Sequence, residues 1–205
     1  MSRSSSSCRQ CRRERQKLFL KGERCFTAKC AVERRNYPPG QHGAAKPRFT
    51  EYSIRLREKQ KARRIYGIVE KQFRKYFEIA AEKSGVTGDI LLELLERRLD
   101  NVVFRLGYAP SRQAARQLVR HGHVKVNGKK VNIPSYQVKI NEEISLSLKL
   151  SVKLLDLRRE ALKEYVPPAW LTITGDFQGK VVGLPTSDDI EKLIQVSLIV
   201  EHYSK

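Results

Sequence analysis

The sequence predicts an α+β protein: a mainly helical domain with an inserted module of helix, turn and small antiparallel β-sheet, preceded by a metal-stapled amino-terminal segment. Three observations predict it. Apolar residues recur at helical spacing through 65–81 and again through 90–106, in stretches almost free of Gly and Pro. Asn127-Gly128 sits between two alternating runs, which is the signature of a hairpin closed by a type I′ turn. All four cysteines fall in the first 30 residues, as Cys8-x2-Cys11-x13-Cys25-x4-Cys30. The expected organisation is a metal-binding segment and loop over 1–45, a helical domain over 46–96 completed by 186–205, the module over 97–160 and a strand-rich connection over 161–185.

The chain has 205 residues, with 41 Lys plus Arg against 22 Asp plus Glu, a formal net charge of +19. That balance suits a polyanionic partner. Hydrophobic residues make up 40% and charged residues 31%, too apolar for wholesale disorder. No run approaches the roughly 18 apolar residues of a membrane span, and no membrane partner is expected. Met1-Ser2-Arg3 and the serines after it lack the apolar core of a secretory signal, so a reducing compartment is expected.

In such a compartment Cys8, Cys11, Cys25 and Cys30 read as metal ligands. A tetrahedral zinc takes four soft donors, and a site closed by four protein ligands is structural. An iron-sulfur cluster is the alternative, because thiolates suit both metals; unpaired thiols or two disulfides are the plainer ones. Between the pairs, Leu18 to Glu23 reads as a short strand and turn. Glu33 to Gly43 is a loop stiffened by Pro38-Pro39 and released by Gly40 and Gly43. Along it Arg34 and Arg35 can pair with phosphates, Tyr37 can stack on a base or sugar, and Gln41 and His42 can hydrogen-bond base edges or 2′-hydroxyls. A solvated linker would have the same composition.

From Thr50 to about Lys83 one long helix is expected, with Ile65, Val69, Phe73, Phe77 and Ala80 or Ala81 on its buried face. Its first half carries Arg55, Arg57, Lys59, Lys61, Arg63 and Arg64 against Glu58 alone nearby, an excess that favours phosphate contact over a merely solvated face. A second helix, capped by Asp89 and stopped by Gly107, carries the core stripe Ile90 to Leu106, with Arg97, Arg98 and Arg105 at its edges. Asp100 among those arginines reads as an ion-pair partner rather than a catalytic acid. A third helix opens at Ser111 and ends at Gly122, with Arg112, Arg116 and Arg120 at i, i+4 and i+8 as one basic stripe. The hairpin follows, Val124, Val126, Val131 and Ile133 facing inwards while Lys125, Lys129 and Lys130 stay wet. Helix, turn and hairpin present one positive edge, suited to structured RNA read by shape and backbone. Ile144 to Leu150 alternates as a strand. A helix around Leu157 and Ala161, strands at Trp170–Ile173 and Val181–Val182 with Trp170 in the core, and a last helix capped by Ser187-Asp188-Asp189 complete the chain.

The helix-and-hairpin stretch resembles the RNA-binding module of the small-subunit ribosomal protein four family. The likeness extends to the cysteine spacing, the Tyr37–Gly43 loop, Leu56-Arg57-Glu58-Lys59-Gln60-Lys61, Arg64-Ile65-Tyr66-Gly67, Arg98-Leu99-Asp100-Asn101-Val102-Val103, Arg120-His121-Gly122-His123 and the carboxyl end Leu198 to Lys205. The resemblance implies a primary binder of the 5′ domain of small-subunit ribosomal RNA that nucleates assembly of the subunit body. It also implies contacts with neighbouring ribosomal proteins near the messenger RNA entry channel and an influence on decoding accuracy. The RNA-facing residues it implies are Arg112, Arg116, Arg120, His121 and Lys125 on the module, and Arg34, Arg35, Tyr37 and His42 on the loop. Many members of the family lack the cysteines, which makes the metal a local staple. The implied place is the cytoplasmic ribosome, an organellar ribosome being the alternative.

Nothing in the chain reads as an active site: the four histidines are scattered, no Gly-rich phosphate loop opens a helix, and no nucleophile stands beside a base. No small-molecule substrate is expected. An RNA-modifying or RNA-recycling factor carrying the same module is the rival reading, but the residues outside the module leave no room for its catalytic domain. A zinc-finger DNA-binding regulator would follow its metal site with a groove-reading helix, where this chain has a Pro-Gly loop.

Overall fold

The computed structural model describes residues 6–44, 48–147, 160, 165–186 and 193–204. It divides into two units, Met1–Arg74 with Leu193–Lys205, and Lys75–Lys192, so that the division falls inside a helix. The sequence places a boundary at 96/97 instead. The end of that helix and the one after it go with the second unit because hydrogen bonds tie them there: Gln137 donates to the Leu94 carbonyl, Arg97 to that of Val138 and Arg98 to the Tyr76 hydroxyl.

In the first unit, α1 (Ser7–Glu14) stops where Arg15 turns left-handed at φ 53°. The strand expected near Leu18 is absent. Phe19 at φ 49° and Gly22 at φ 64° curl the chain into a 3-10 turn, Gly22–Phe26, while Leu18 and Leu20 are buried. A single turn, α2 (Ala31–Arg34), precedes the loop. α3 (Glu51–Ile65) is capped by Thr50, whose side chain accepts from the Ser53 amide at 3.3 Å. The single helix expected over 50–83 is two, because Gly67 at φ 63° breaks it before α4 (Glu70–Glu82). Val69 falls in that break and is 66% exposed, not buried as its spacing suggested.

The second unit begins its own core with α5 (Thr87–Glu96) and α6 (Leu99–Arg105). These also replace one expected helix: Arg98 is extended at ψ 135° and separates them. Asp89 lies in the first turn of α5 and Val86 holds the cap position. Ser111 does cap α7 (Arg112–Arg120), accepting from the Ala114 amide at 3.3 Å. A five-stranded antiparallel sheet follows, in the order β2-β1-β3-β5-β4, from β1 (Val124–Val126), β2 (Lys129–Lys130), β3 (Glu143–Leu146), β4 (Leu171–Gly175) and β5 (Gln178–Val181). Asn127 and Gly128, at φ 49° and 76°, form the expected turn. β4 and β5, set apart in the sequence reading as a connection, extend the hairpin's own sheet. Its core holds Leu99, Val102, Leu106, Ala115, Val119, Val124, Ile144, Trp170 and Phe177, while Ile133 is 56% exposed.

The chain ends in α8 (Val196–Tyr203), packed along α3 in the first unit, with the Tyr203 ring stacked on Phe73 at 6.2 Å. The helix expected around Leu157, the far end of the Ile144–Leu150 strand and the Ser187-Asp188-Asp189 cap lie outside the described residues. No helix among those described is long and apolar enough to cross a membrane.

Candidate nucleic-acid interface

The six cations of α3 are not an unneutralised run. Arg55 donates to Glu51 at 3.0 Å and Glu201 at 2.8 Å, Lys59 lies 2.6 Å and Arg63 3.0 Å from Glu70, and Lys61 lies 2.6 Å from Glu58. Arg57, at 3.5 Å, and Arg64 share Glu14. Lys59 and Lys61 are themselves buried. The sequence excess was real only locally, since Glu14, Glu70 and Glu201 arrive from α1, α4 and α8 to join Glu51 and Glu58 of α3 itself. Burial pushes the Glu14 carboxyl above its ordinary value against the pull of Arg64 and Arg57. Burial acts the same way on Glu70, but hydrogen bonds from Lys59 and Tyr203 and the charges of Lys59 and Arg63 outweigh it and hold that carboxyl low. These acids hold α1, α3, α4 and α8 in register, and they leave the α3 cations less available to an outside anion.

The amino-terminal loop is different. Arg34, Arg35, Tyr37, Gln41 and His42 are all exposed. Arg12, which the sequence reading passed over, donates to the Tyr37 carbonyl at 3.0 Å and lies 4.8 Å from the centre of its ring. One face of Tyr37 is thus occupied, and the side chain remains 42% exposed. The signal for Arg12 was its place in the charge run Arg12-Arg13-x-Arg15 beside a cysteine.

Cys8, Cys11, Cys25 and Cys30 are free thiols lining one cavity of about 20 Å³ together with Leu20, Lys21 and Val32. Burial raises the Cys11 thiol above its ordinary value, with the three other cysteines adding to the rise. Their chemistry fits a closed four-sulfur site. Yet among the described residues no group of three or more His, Cys, Asp or Glu side chains is arranged to hold a metal ion. The expected staple is therefore not seen here; buried Leu18, Leu20 and Val32 and the Glu14 pairs to Arg57 and Arg64 secure the segment.

On the module the arginine stripe is graded. Arg120 is exposed, Arg116 is 41% exposed at its side chain and 3.2 Å from Asp100, and Arg112 donates to Asn101 Oδ1 at 2.7 Å over the ring of Phe104. Beneath them Asp100 accepts two hydrogen bonds from Arg98, at 3.0 and 2.7 Å, and both residues are buried. Burial works against the Arg98 charge, but Asp100 and Tyr76 more than restore it, leaving the guanidinium held above its ordinary value. Asp100 is an ion-pair partner, as expected. Arg98 and Arg105, however, do not solvate an edge: Arg98 is 1% exposed and Arg105 grips the buried Glu96 at 2.9 and 3.0 Å. Sequence reasoning missed Glu96 and Asn101, which bond each other at 2.7 Å and set Arg112 from below; five-residue spacing across a helix break carries no periodic signal.

His121, Lys125, Lys129 and Lys130 are exposed at the end of α7 and on the hairpin. Lys125 stands directly opposite Lys130 across the strands, where like charges repel unless an anion lies between or above them. The Lys130 stem crosses the carboxyl end of α7 so closely that a Cβ on Gly122 would lie 2.0 Å from its Cε. Helix end and hairpin thus form one cationic edge.

A basic helix-and-hairpin edge of this kind defines an RNA-binding module of the S4-domain class, and the family model described as "S4 domain" matches residues 97–144. The model described as "Ribosomal protein S4/S9 N-terminal domain" matches residues 3–96. Among curated relatives, the "Small ribosomal subunit protein uS4" of Geotalea daltonii is 58% identical, covering 97% of this chain and 97% of that protein. That of Desulforamulus reducens is 56% identical, over 97% and 96%, and that of Acetivibrio thermocellus 55%, over 98% of each. The chain belongs to the small ribosomal subunit protein uS4 family.

Proposed function

We propose that the chain is a structural, non-catalytic component of the small ribosomal subunit that binds its ribosomal RNA, working in the cytoplasm. The observation that carries this is the end-to-end relation to ribosomal proteins at more than half identity; the exposed cations of the loop and of the α7–hairpin edge support it physically. More finely, the RNA site is the 5′ domain, bound early so that the subunit body assembles on it, with neighbouring proteins and messenger RNA near the entry channel as further contacts and decoding accuracy as the downstream effect. Arg34, Arg35, Tyr37, Gln41 and His42 on the loop, and Arg112, Arg116, Arg120, His121, Lys125, Lys129 and Lys130 on the module, are the contact set. Of the α3 cations, Arg55, Arg57, Arg63 and Arg64 reach RNA only at the cost of their carboxylates, and Lys59 and Lys61 serve the fold.

The test is competition between the 5′ domain and transfer RNA for the purified chain across a salt series. Preference for the 5′ domain that survives salt sufficient to strip non-specific binding is the expected result. If both RNAs leave together, charge alone was binding.

The same reading assigns Cys8, Cys11, Cys25 and Cys30 as ligands of one structural zinc, with an iron-sulfur cluster as the alternative. When bound, the metal would cross-link α1, the 3-10 turn and the start of α2 and supply no reactivity, all four positions being protein. Four soft donors around one cavity support it. Elemental analysis should find about one zinc per chain; iron with sulfide would replace the assignment. Cys25→Ser should expose the first 45 residues to limited proteolysis while the module stays resistant.

A further inference from the structure

Adjoining the thiol cavity, and sharing Cys8, Arg24, Lys29 and Ala31 with it, is a second one of about 190 Å³ that is lined also by Arg12, Arg34 and Arg35. Five of its seven lining residues are cationic and none is acidic. The cations come from four separate pieces of chain: Arg12 from α1, Arg24 from the 3-10 turn, Lys29 from the stretch after it, and Arg34 and Arg35 from α2 and its end. Local composition does not bring them together; the fold does.

Close convergence of like charges is unfavourable unless something of opposite sign sits among them. The nearby acid Glu33 does not serve, being paired with Lys17. No ion pair among the described residues engages Arg24, Lys29, Arg34 or Arg35, in contrast to every cation of α3. Arg12 is already fixed by the Tyr37 carbonyl and ring, so one wall of the cavity is pre-set. Its volume is below the roughly 300 Å³ at which small-molecule sites begin, which suits a phosphate group better than a cofactor. Guanidinium groups are planar two-pronged donors matched to phosphate oxygens.

We propose that this cavity seats a phosphodiester group of the bound RNA, with Arg12, Arg24 and Lys29 joining Arg34 and Arg35 as its ligands and the open part of Tyr37 available to the adjoining nucleotide. The proposal rests on the ribosomal-RNA reading above and adds Arg12, Arg24 and Lys29, gathered with Arg34 and Arg35 in one cavity, to the loop's contact set.

The experiment compares the full chain with Arg24→Ala/Lys29→Ala and with a control of equal charge loss at exposed positions that do not line the cavity, Lys71→Ala/Lys83→Ala. Binding to the 5′ domain is measured across a salt series. The cavity variant should bind more weakly and flatten the log–log salt slope by about 1.4, as two lost phosphate contacts require, with the control much less affected. Equal losses in both variants, or none in the cavity variant, would overturn the site. Free phosphate is the second arm: millimolar inorganic phosphate should shift the amide resonances of residues 8–35 in the wild-type chain and not in the cavity variant. No shift in the wild type also counts against the site. Loss of the 5′-domain preference in the wild type strikes the functional reading alone, because the phosphate arm judges the cavity without RNA.

Discussion

Two cationic regions of this chain, similar on paper, come out opposite in space. α3 packs six cations into ten residues, and every one finds a carboxylate, Arg55 doing so across more than a hundred residues of sequence in Glu201. The stretch from Arg24 to Arg35 carries four, and all of them stand around a cavity with no carboxylate paired to them among the described residues. The difference teaches that charge density along a sequence does not identify a binding surface. What matters is whether the fold delivers acids to the same place. Cations held by carboxylates of neighbouring elements act as architecture; those with no acid partner among the described residues are available to an outside polyanion.

The largest effect belongs to the most buried pair. Asp100→Ala would leave Arg98, 1% exposed, without its carboxylate. A buried charge stripped of its partner costs about 3–5 kcal/mol, which urea denaturation would register as a large fall in midpoint. A shift within error would mean Arg98 is not held as described. Because Arg116 also leans on Asp100 at 3.2 Å, the variant should loosen the stripe as well.

Glu70→Gln probes α3 in the same way with a smaller expected loss. Lys59 and Arg63 lose a charged acceptor, but the Glu70 side chain is 40% exposed, so water takes over part of the role. About 1–2 kcal/mol is the expected destabilisation. An unchanged midpoint would move α3 from the architectural class towards the binding class and break the comparison.

Arg34→Ala/Arg35→Ala should invert that pattern: stability within about 0.5 kcal/mol of wild type, and a salt slope for 5′-domain binding flatter by about 1.4. Marked destabilisation with no change in slope would show these arginines to be structural.

How much of this could be read beforehand follows the range of the interactions. The Ser111 cap and the Asn127-Gly128 turn rest on neighbours a few residues away, and the sequence indicates both; the inward Trp170 was legible from its size and apolarity, although its core neighbours are distant in sequence. The breaks at Gly67 and Arg98 went unread because apolar residues recur in the sequence at helical spacing on both sides of them, although Val69, in the first break, is exposed. The loop residues were legible as exposed. The partners of α3 were not, since Glu14 and Glu201 are brought there only by tertiary packing. The same holds for Arg12 and Arg24, whose sequence context says basic and nothing about a shared cavity.

The smallest effect concerns His202, which lies against Tyr52 and beside the Lys59–Glu70 pair at the α3–α8 contact. Burial first, then the charges of Lys59 and Arg55, lower its pKa against the opposing pull of Glu70. The folded chain therefore resists taking up a proton that the unfolded chain accepts near pH 6.5. Stability from this residue is complete above that pH and falls as the solution is acidified, until the folded-state value is passed. Glu70, held low, adds a second loss that begins as the pH falls through the ordinary carboxylate range, whereas Glu14, held high, recovers stability as the solution is acidified towards that range from above. His202→Gln should remove the upper loss and leave the lower one, so that the urea midpoints of wild type and variant differ in pH dependence between 7 and 5 and run parallel below. Parallel curves throughout would mean that the cations of α3 do not reach His202, and that the paired class of charges is neutralised more completely than the geometry requires.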